Sequence, residues 1–259
     1  MEDNLYNLYK NFLNIKNMGF VESKRKGNGG IGYTFETLLG KCEENFPIPD
    51  FNGIEIKTCR KNAKGDIHLF SATPDGDFLF PIERVLKYLG YPDKKIPTTA
   101  IFNMNFTAKE FSAIGWYKEG KIIVNRKLKK VDFIARTIYG EKFPLDTSWS
   151  FKMLEDRLNL KLKYLAIITA DVKFVNGIES FHYNHIKFYK FKDFENFISL
   201  IEKGYIKVSF NIGVFRCNNK KGKIHDRGVG FSINKKYLDL LYDEIDIGLE
   251  QEAAKKKKK

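Results

Sequence analysis

The sequence predicts a mixed α/β (α+β) fold, and three observations predict it. Segments with the 3.6-residue spacing of an amphipathic helix are interleaved with segments of strand-like alternation. Hydrophobic content of 43% with 15% aromatic residues is enough, over 259 residues, for a sizeable core. No run of about 18 uncharged apolar residues occurs, so no membrane-spanning helix is expected. The start, Met1-Glu2-Asp3-Asn4, is acidic and leads into no apolar signal segment, so a cytoplasmic location is expected.

Leu5 to Ile15 reads as a helix with Leu5, Leu8, Phe12 and Ile15 on one face. A basic, glycine-rich stretch, Glu22 to Gly32, follows. It lacks the Gly-Lys-Ser/Thr ending of a nucleotide-phosphate loop and reads either as a contact to a phosphate backbone or as a linker. Thr34 is the expected N-cap of a helix through Leu39 that Gly40 ends, with Glu36 in its first turn. Ile54 to Lys57 alternates apolar and charged residues, so Glu55 and Lys57 share one strand face while Ile54 and Ile56 enter a core. Asn52-Gly53 before it is a tight-turn dipeptide, which brings Asp50 back beside Glu55.

Ile67 to Ser71 is the next strand, with His68 and Phe70 on one face and Thr73 to Gly76 as a turn. His68 reads as either a base-reading or a packed histidine. Phe80 to Leu89 is a helix. Ala100 to Phe106 and Trp116 to Val124 are strands, the second with a hairpin turn at Glu119-Gly120 and a basic cluster from Lys118 to Lys130. Trp149 to Leu160 is a helix capped by Ser148; Tyr164 to Thr169 and Phe181 to Phe191 are strands. Asp193 caps a helix through Ile201 that Gly204 stops, and Ile206 to Phe215 is a strand. Arg216 to Gly230 reads as a loop between strands.

Asp50, Glu55 and Lys57 are the chemistry-bearing group. Two carboxylates held together repel, and a hard divalent cation such as Mg²⁺ removes the conflict because it favours carboxylate oxygens. A water on that cation, beside an ammonium, suits attack on a phosphodiester. Pro49-Asp50, four intervening residues, then Glu55-x-Lys57 is the signature of the PD-(D/E)XK nuclease superfamily, which this stretch resembles. Net charge is +13, and removing the run Lys255–Lys259 leaves 40 basic against 32 acidic residues, +8. Both balances suit a polyanionic partner. Cys42, Cys59 and Cys217 are odd in number and widely spaced, so reduced thiols are expected and zinc is not.

The run Gly30 to Gly40, with Pro49-Asp50-Phe51 and Gly53 to Thr58, resembles the MvaI/BcnI family of restriction endonucleases, and more distantly the mismatch-repair nickase MutH. The resemblance is tight from Gly27 to Pro74. It implies a restriction-endonuclease-like mixed sheet flanked by helices, with Asp50, Glu55 and Lys57 as the catalytic group and Glu36 as an accessory helix glutamate. The metal ligands are then Asp50, Glu55 and the backbone carbonyl of Ile56, with Mg²⁺ as cofactor and Mn²⁺ as substitute. His225-Asp226-Arg227-Gly228 is similar to the segment through which that family reads G·C pairs. The expected recognition residues are therefore His68, Arg216, His225, Asp226 and Arg227.

No repeat or linker divides the chain before the lysine run. Two lobes around a DNA cleft are expected, with one continuous domain as the alternative: residues 1–160 mainly catalytic, 161–250 mainly for recognition, and 251–259 a lysine-rich tail. The function implied is a Mg²⁺-dependent type II enzyme that cuts double-stranded DNA at a short site related to CCNGG. It would work as a monomer beside a cognate methyltransferase with which it forms no stable complex. The alternatives are a MutH-like strand-specific nickase and a non-catalytic DNA-binding protein.

Overall fold

The computed structural model describes residues 1–40, 48–76 and 80–247. Cys42 and the lysine run lie outside the described residues. The described chain forms a mixed α+β structure with several sheets. It divides into two units. The first comprises Met1–Gly65, Asn159–Lys192 and the described residues from Tyr242 on; the second comprises Asp66–Leu158 and Asp193–Leu241. Each unit is therefore built from segments far apart in sequence. The reason is parallel pairing, which needs a long crossover between partner strands. The strand carrying Glu55 takes as its neighbour a segment more than a hundred residues later, and most of the second unit lies within that crossover.

In the first unit, α1 (Glu2–Asn17) and α2 (Gly30–Leu38) accompany strands β1 (Val21–Glu22), β2 (Ile54–Arg60), β10 (Tyr164–Val175), β11 (Ile178–Phe191) and β15 (Tyr242–Ile245). The sheet order is β1-β11-β10-β2, with β15 also on β11. One face presents Ile54, Ile56, Ala166, Ile168 and Phe188 to Leu5, Leu8, Phe12 and Ile15 of α1 and to Ile31 and Phe35 of α2. The helical spacing in α1 and the alternation in β2 thus meet in one core. The opposite face carries Glu55 and Lys57, because alternate side chains leave a strand on opposite sides.

α2 begins five residues earlier than the sequence suggests, with Gly29 and not Thr34 at the N-cap. Gly30 is so confined that an added Cβ would stand 2.4 Å from the Arg25 carbonyl oxygen. Thr34 is consequently not a cap. It is buried within the helix, and its hydroxyl accepts from the Lys24 amide at 2.9 Å. Glu36 falls in the last part of the helix, not its first turn, so it does not complement the N-terminal dipole.

The second unit contains a sheet of order β3 (Asp66–Ala72), β14 (Val229–Asn234), β12 (Ile206–Val214), β5 (Ala100–Phe106) and β4 (Tyr91–Pro92), with β13 (Ile224–Asp226) also on β12. A further sheet runs β6 (Ser112–Ile114), β7 (Lys118–Asn125), β8 (Lys130–Thr137), β9 (Thr147–Ser150). Helices α3 (Phe80–Leu89), α5 (Phe194–Glu202) and α6 (Leu238–Leu241) belong to it, and α4 (Phe151–Lys161) spans the boundary between the units. Asp193 caps α5 as expected, accepting from the Asn196 amide at 2.7 Å. Phe102, Phe106, Phe133 and Phe210 interlock, with ring centroids as close as 4.6 Å.

Three local expectations fail for tertiary reasons. Glu119-Gly120 is not a turn: it lies inside β7, and the turn is at Gly115, with φ 65°. Gly120 is small because rings press on it, a Cβ there standing 2.8 Å from Phe106 and 2.9 Å from Phe133. Gly120→Ala is expected to cost about 1–3 kcal/mol by overpacking, read as a lower midpoint in urea with an unchanged slope. Trp149 is a buried residue of β9, not the start of a helix; α4 begins at Phe151, with the Ser150 hydroxyl accepting from the Met153 amide. A bulge in β3 leaves Leu69 between the pairs His68–Ser232 and Phe70–Phe231, so His68 is exposed while Phe70 is buried. They do not share a face. Among the described residues no helix is long and apolar enough to cross a membrane.

Candidate functional site

Asn52 and Gly53 both have positive φ, 44° and 89°, which makes the two-residue turn that the dipeptide predicts. Phe51 and Ile54 exchange backbone hydrogen bonds of 2.9 and 2.8 Å across it. Asp50 therefore lies beside β2, and its Oδ2 accepts from the Ile56 amide at 2.9 Å. That bond holds the carboxylate against the strand and leaves its second oxygen for another partner.

Glu55 is buried, its side chain 1% exposed. Its Oε1 receives the Lys57 ammonium at 2.5 Å and lies 3.4 Å from the Lys161 ammonium. Its Oε2 is buried without a hydrogen-bond partner among the described residues. Burial pushes the Glu55 carboxyl up, Lys57 pulls it down and Asp50 pushes it up; the net direction is up. A buried carboxylate with one oxygen between two ammoniums and the other unpartnered costs stability. Glu55→Gln is accordingly expected to stabilise the fold at pH 7 to 8 by about 0.5–2 kcal/mol. The sign follows from linkage: with a raised folded pKa, the charge penalty is absent below about 4.5 and grows as pH rises through the folded value. The variant's gain in melting temperature should vanish on acidification.

Two residues here have no motif signal. Lys161 reaches Glu55 from the end of α4, a placement set by the β2–β10 pairing. Tyr242 follows from the row Glu55, Leu165, Tyr189, Glu244 across the sheet: two residues from Glu244, it shares that face. Its hydroxyl is buried without a hydrogen-bond partner among the described residues, and burial and the Glu55 charge both push its pKa up. Glu36 is placed differently. A Cβ on Gly32 would stand 3.3 Å from the Thr58 hydroxyl and 3.7 Å from Glu36 Oε1, so both groups lie beside Gly32.

The residues expected to read bases lie in the second unit. The stretch Arg216 to Gly230 is not a plain loop, because β13 within it pairs with β12, Asp226 against Ile212 and His225 against Gly213. The His225 ring stacks on Phe215, centroids 4.1 Å apart and planes 9° apart. Asp226 Oδ1 accepts from the Gly228 amide at 3.0 Å. Burial raises the Asp226 carboxyl, against the pull of that amide and of His225, and the net direction is up. The Arg227 side chain is exposed.

β3 brings His68 to the same place. Its ring lies over Gly230, where a Cβ would stand 3.0 Å from Cε1, and its Nε2 is 3.2 Å from the Ser71 hydroxyl. Ser71 in turn abuts Gly228. His68 and the Asp226–Gly228 turn are thus neighbours, although 158 residues separate His68 from Asp226. Arg216 stands apart from them. It bonds Asp93 at 2.7 Å, and Asp93 is buried and accepts from the Lys95 and Ile96 amides at 2.8 and 2.9 Å. Burial raises the Asp93 carboxyl, but those amides and Arg216 outweigh it and hold it low. Asp93 therefore serves as the anchor of Arg216.

Among curated protein sequences, none matches this chain. Among solved structures, MvaI restriction endonuclease in complex with its cognate DNA substrate is similar at 31% identity and a TM-score of 0.87, over 95% of this chain and 99% of that one. MvaI in the absence of DNA is similar at 30% identity and a TM-score of 0.61, over 95% and 98%. The model of the MvaI/BcnI restriction endonuclease family matches residues 9–242. The turn-held Asp50, the buried Glu55 and its Lys57 stand within that match, and the chain belongs to the MvaI/BcnI restriction endonuclease family of site-specific deoxyribonucleases.

Proposed function

We propose that the protein is a Mg²⁺-dependent type II restriction endonuclease that cleaves a short, G·C-flanked duplex site related to CCNGG. The observation that carries this reading is the state of Glu55: buried, linked to Lys57 through one oxygen, with the other unpartnered beside the strand that fixes Asp50. The donor set fits a divalent cation. Carboxylate and carbonyl oxygens are hard donors, which a hard divalent cation favours. Asp50, Glu55 and the backbone carbonyl of Ile56 would hold Mg²⁺, with Mn²⁺ as substitute. When bound, the cation supplies positive charge to the scissile phosphate.

Lys57, held by Glu55, orients a water for in-line attack on phosphorus. The bond from phosphorus to the 3′ oxygen breaks, the water's oxygen stays on phosphorus, and the products are a 5′ phosphate and a 3′ hydroxyl. Asp226 accepts from cytosine amino groups, Arg227 and Arg216 pair with guanine edges, and His68 and His225 complete the reading of the site. Glu36 is an accessory carboxylate. A monomer that nicks each strand in turn, beside a cognate methyltransferase, completes this reading. A MutH-like nickase is the second reading, and the density of base-reading side chains from Arg216 to Arg227 favours the restriction enzyme over it.

The test is digestion of a large unmethylated viral DNA with Mg²⁺ and with EDTA. Discrete bands are expected with Mg²⁺ only, and sequencing their ends gives the site. DNA that is bound but never cut, with Mn²⁺ as well, would overturn the reading.

A further inference from the structure

The hairpin of β10 and β11 runs beyond the end of β2. β2 stops at Arg60, opposite Ala170, whereas β10 continues to Val175. Asn176 and Gly177, at φ 51° and 76°, close the hairpin tightly between Val175 and Ile178. Its tip holds Phe174, Val175 and Ile178 at 70%, 41% and 44% exposure. Large apolar side chains gathered at a turn tip mark a contact surface.

The loop of residues 23–28 stands beside this tip, and together they enclose an open cavity of about 870 Å³. The loop is held in place and is not a linker. The Ser23 amide donates to the Glu179 carbonyl at 2.8 Å, and the Ser23 hydroxyl donates to the Arg25 carbonyl at 2.7 Å. Lys24, Arg25 and Lys26 are exposed along the cavity. Among the described residues, Glu179 is the one acidic side chain lining it, and Arg60 neutralises it through two bonds of 2.8 and 2.9 Å. The cavity thus pairs a cationic wall with an apolar one formed by Val172, Phe174 and Ile178.

A small inorganic anion would leave the apolar wall uncovered, and an apolar peptide would leave the cationic wall without a charge complement. A nucleic-acid backbone satisfies both walls, since its phosphates are anionic and its sugars apolar. Contacts to phosphate and sugar fix a protein on a duplex without reading its sequence. We infer that the cavity is a second grip on the duplex, apart from the carboxylate site. Lys24, Arg25 and Lys26 contact phosphates there, and Phe174 and Ile178 lie against the sugars. This rests on the restriction-endonuclease reading for its ligand. Leu165 is the partner of Glu55, and Phe174 is nine residues further along β10. At about 3.3 Å per residue the tip is about 30 Å from the carboxylates, the length of roughly nine base pairs. The grip therefore takes DNA flanking the cleaved site.

The test compares duplexes of about 12 and about 30 base pairs with the same site at the centre, by binding in Ca²⁺ and by cleavage in Mg²⁺. The native protein is expected to bind the longer duplex at least tenfold more tightly. Phe174→Ser with Ile178→Ser should bring that ratio toward one. Lys24→Ala with Lys26→Ala should do the same and lower the slope of log affinity against log salt by about 2, near 0.9 per lost phosphate contact. Both double variants keeping the native length preference and salt slope would overturn the inference. So would loss of binding to anionic phosphatidylserine vesicles with DNA binding unchanged, since the surface would then serve a membrane. A native protein that cuts neither duplex sinks the restriction reading alone, because the binding comparison still tests the grip.

Discussion

Lys57→Ala is expected to lower the rate of DNA cleavage by about 10²–10⁴-fold, the range for losing a positioned proton-transfer group, while DNA binding in Ca²⁺ persists. The ammonium sits 2.5 Å from Glu55 Oε1, so the variant also removes the nearest counter-charge of a buried carboxylate. Removing one partner of such a pair destabilises the fold, and lost activity alone would be ambiguous. The double variant Glu55→Gln with Lys57→Ala separates the two effects, because it removes the buried charge with its partner. It should melt at or above the temperature of the native protein and remain inactive. Full cleavage by Lys57→Ala at native rates would remove this lysine from the chemistry.

Asp226→Ala is expected to lower kcat/KM at the target site by about 1–3 kcal/mol, roughly 5- to 150-fold, with little change in binding to unrelated DNA. The carboxylate is half-buried and oriented by the Gly228 amide, so its geometry is set before DNA arrives. Protonation turns one of the carboxylate's accepting sites into a donor, which a cytosine amino group cannot use. Burial raises the Asp226 pKa, so discrimination between the target and a one-base variant should decline on acidification earlier than for an exposed aspartate. Equal loss on target and unrelated DNA would instead make Asp226 a structural residue.

By itself the sequence determined the local pieces: the amphipathic α1, the Asn52-Gly53 turn, the alternation of β2, and hence the closeness of Asp50, Glu55 and Lys57. These are set by spacings of a few residues, which side-chain direction and backbone φ preferences encode directly. The same local reading failed at Gly120, where distant rings and not a turn demand glycine, and at Trp149, which a strand and not a helix buries. Only the tertiary structure decided that β2 takes β10 as its parallel partner, which brings Lys161 and Tyr242 toward Glu55. It alone likewise set His68 against Gly230 and tied Arg216 to Asp93. Long-range pairing and burial depend on register between segments that no local period records, so the closeness of Asp50, Glu55 and Lys57 was legible while their electrostatic setting was not.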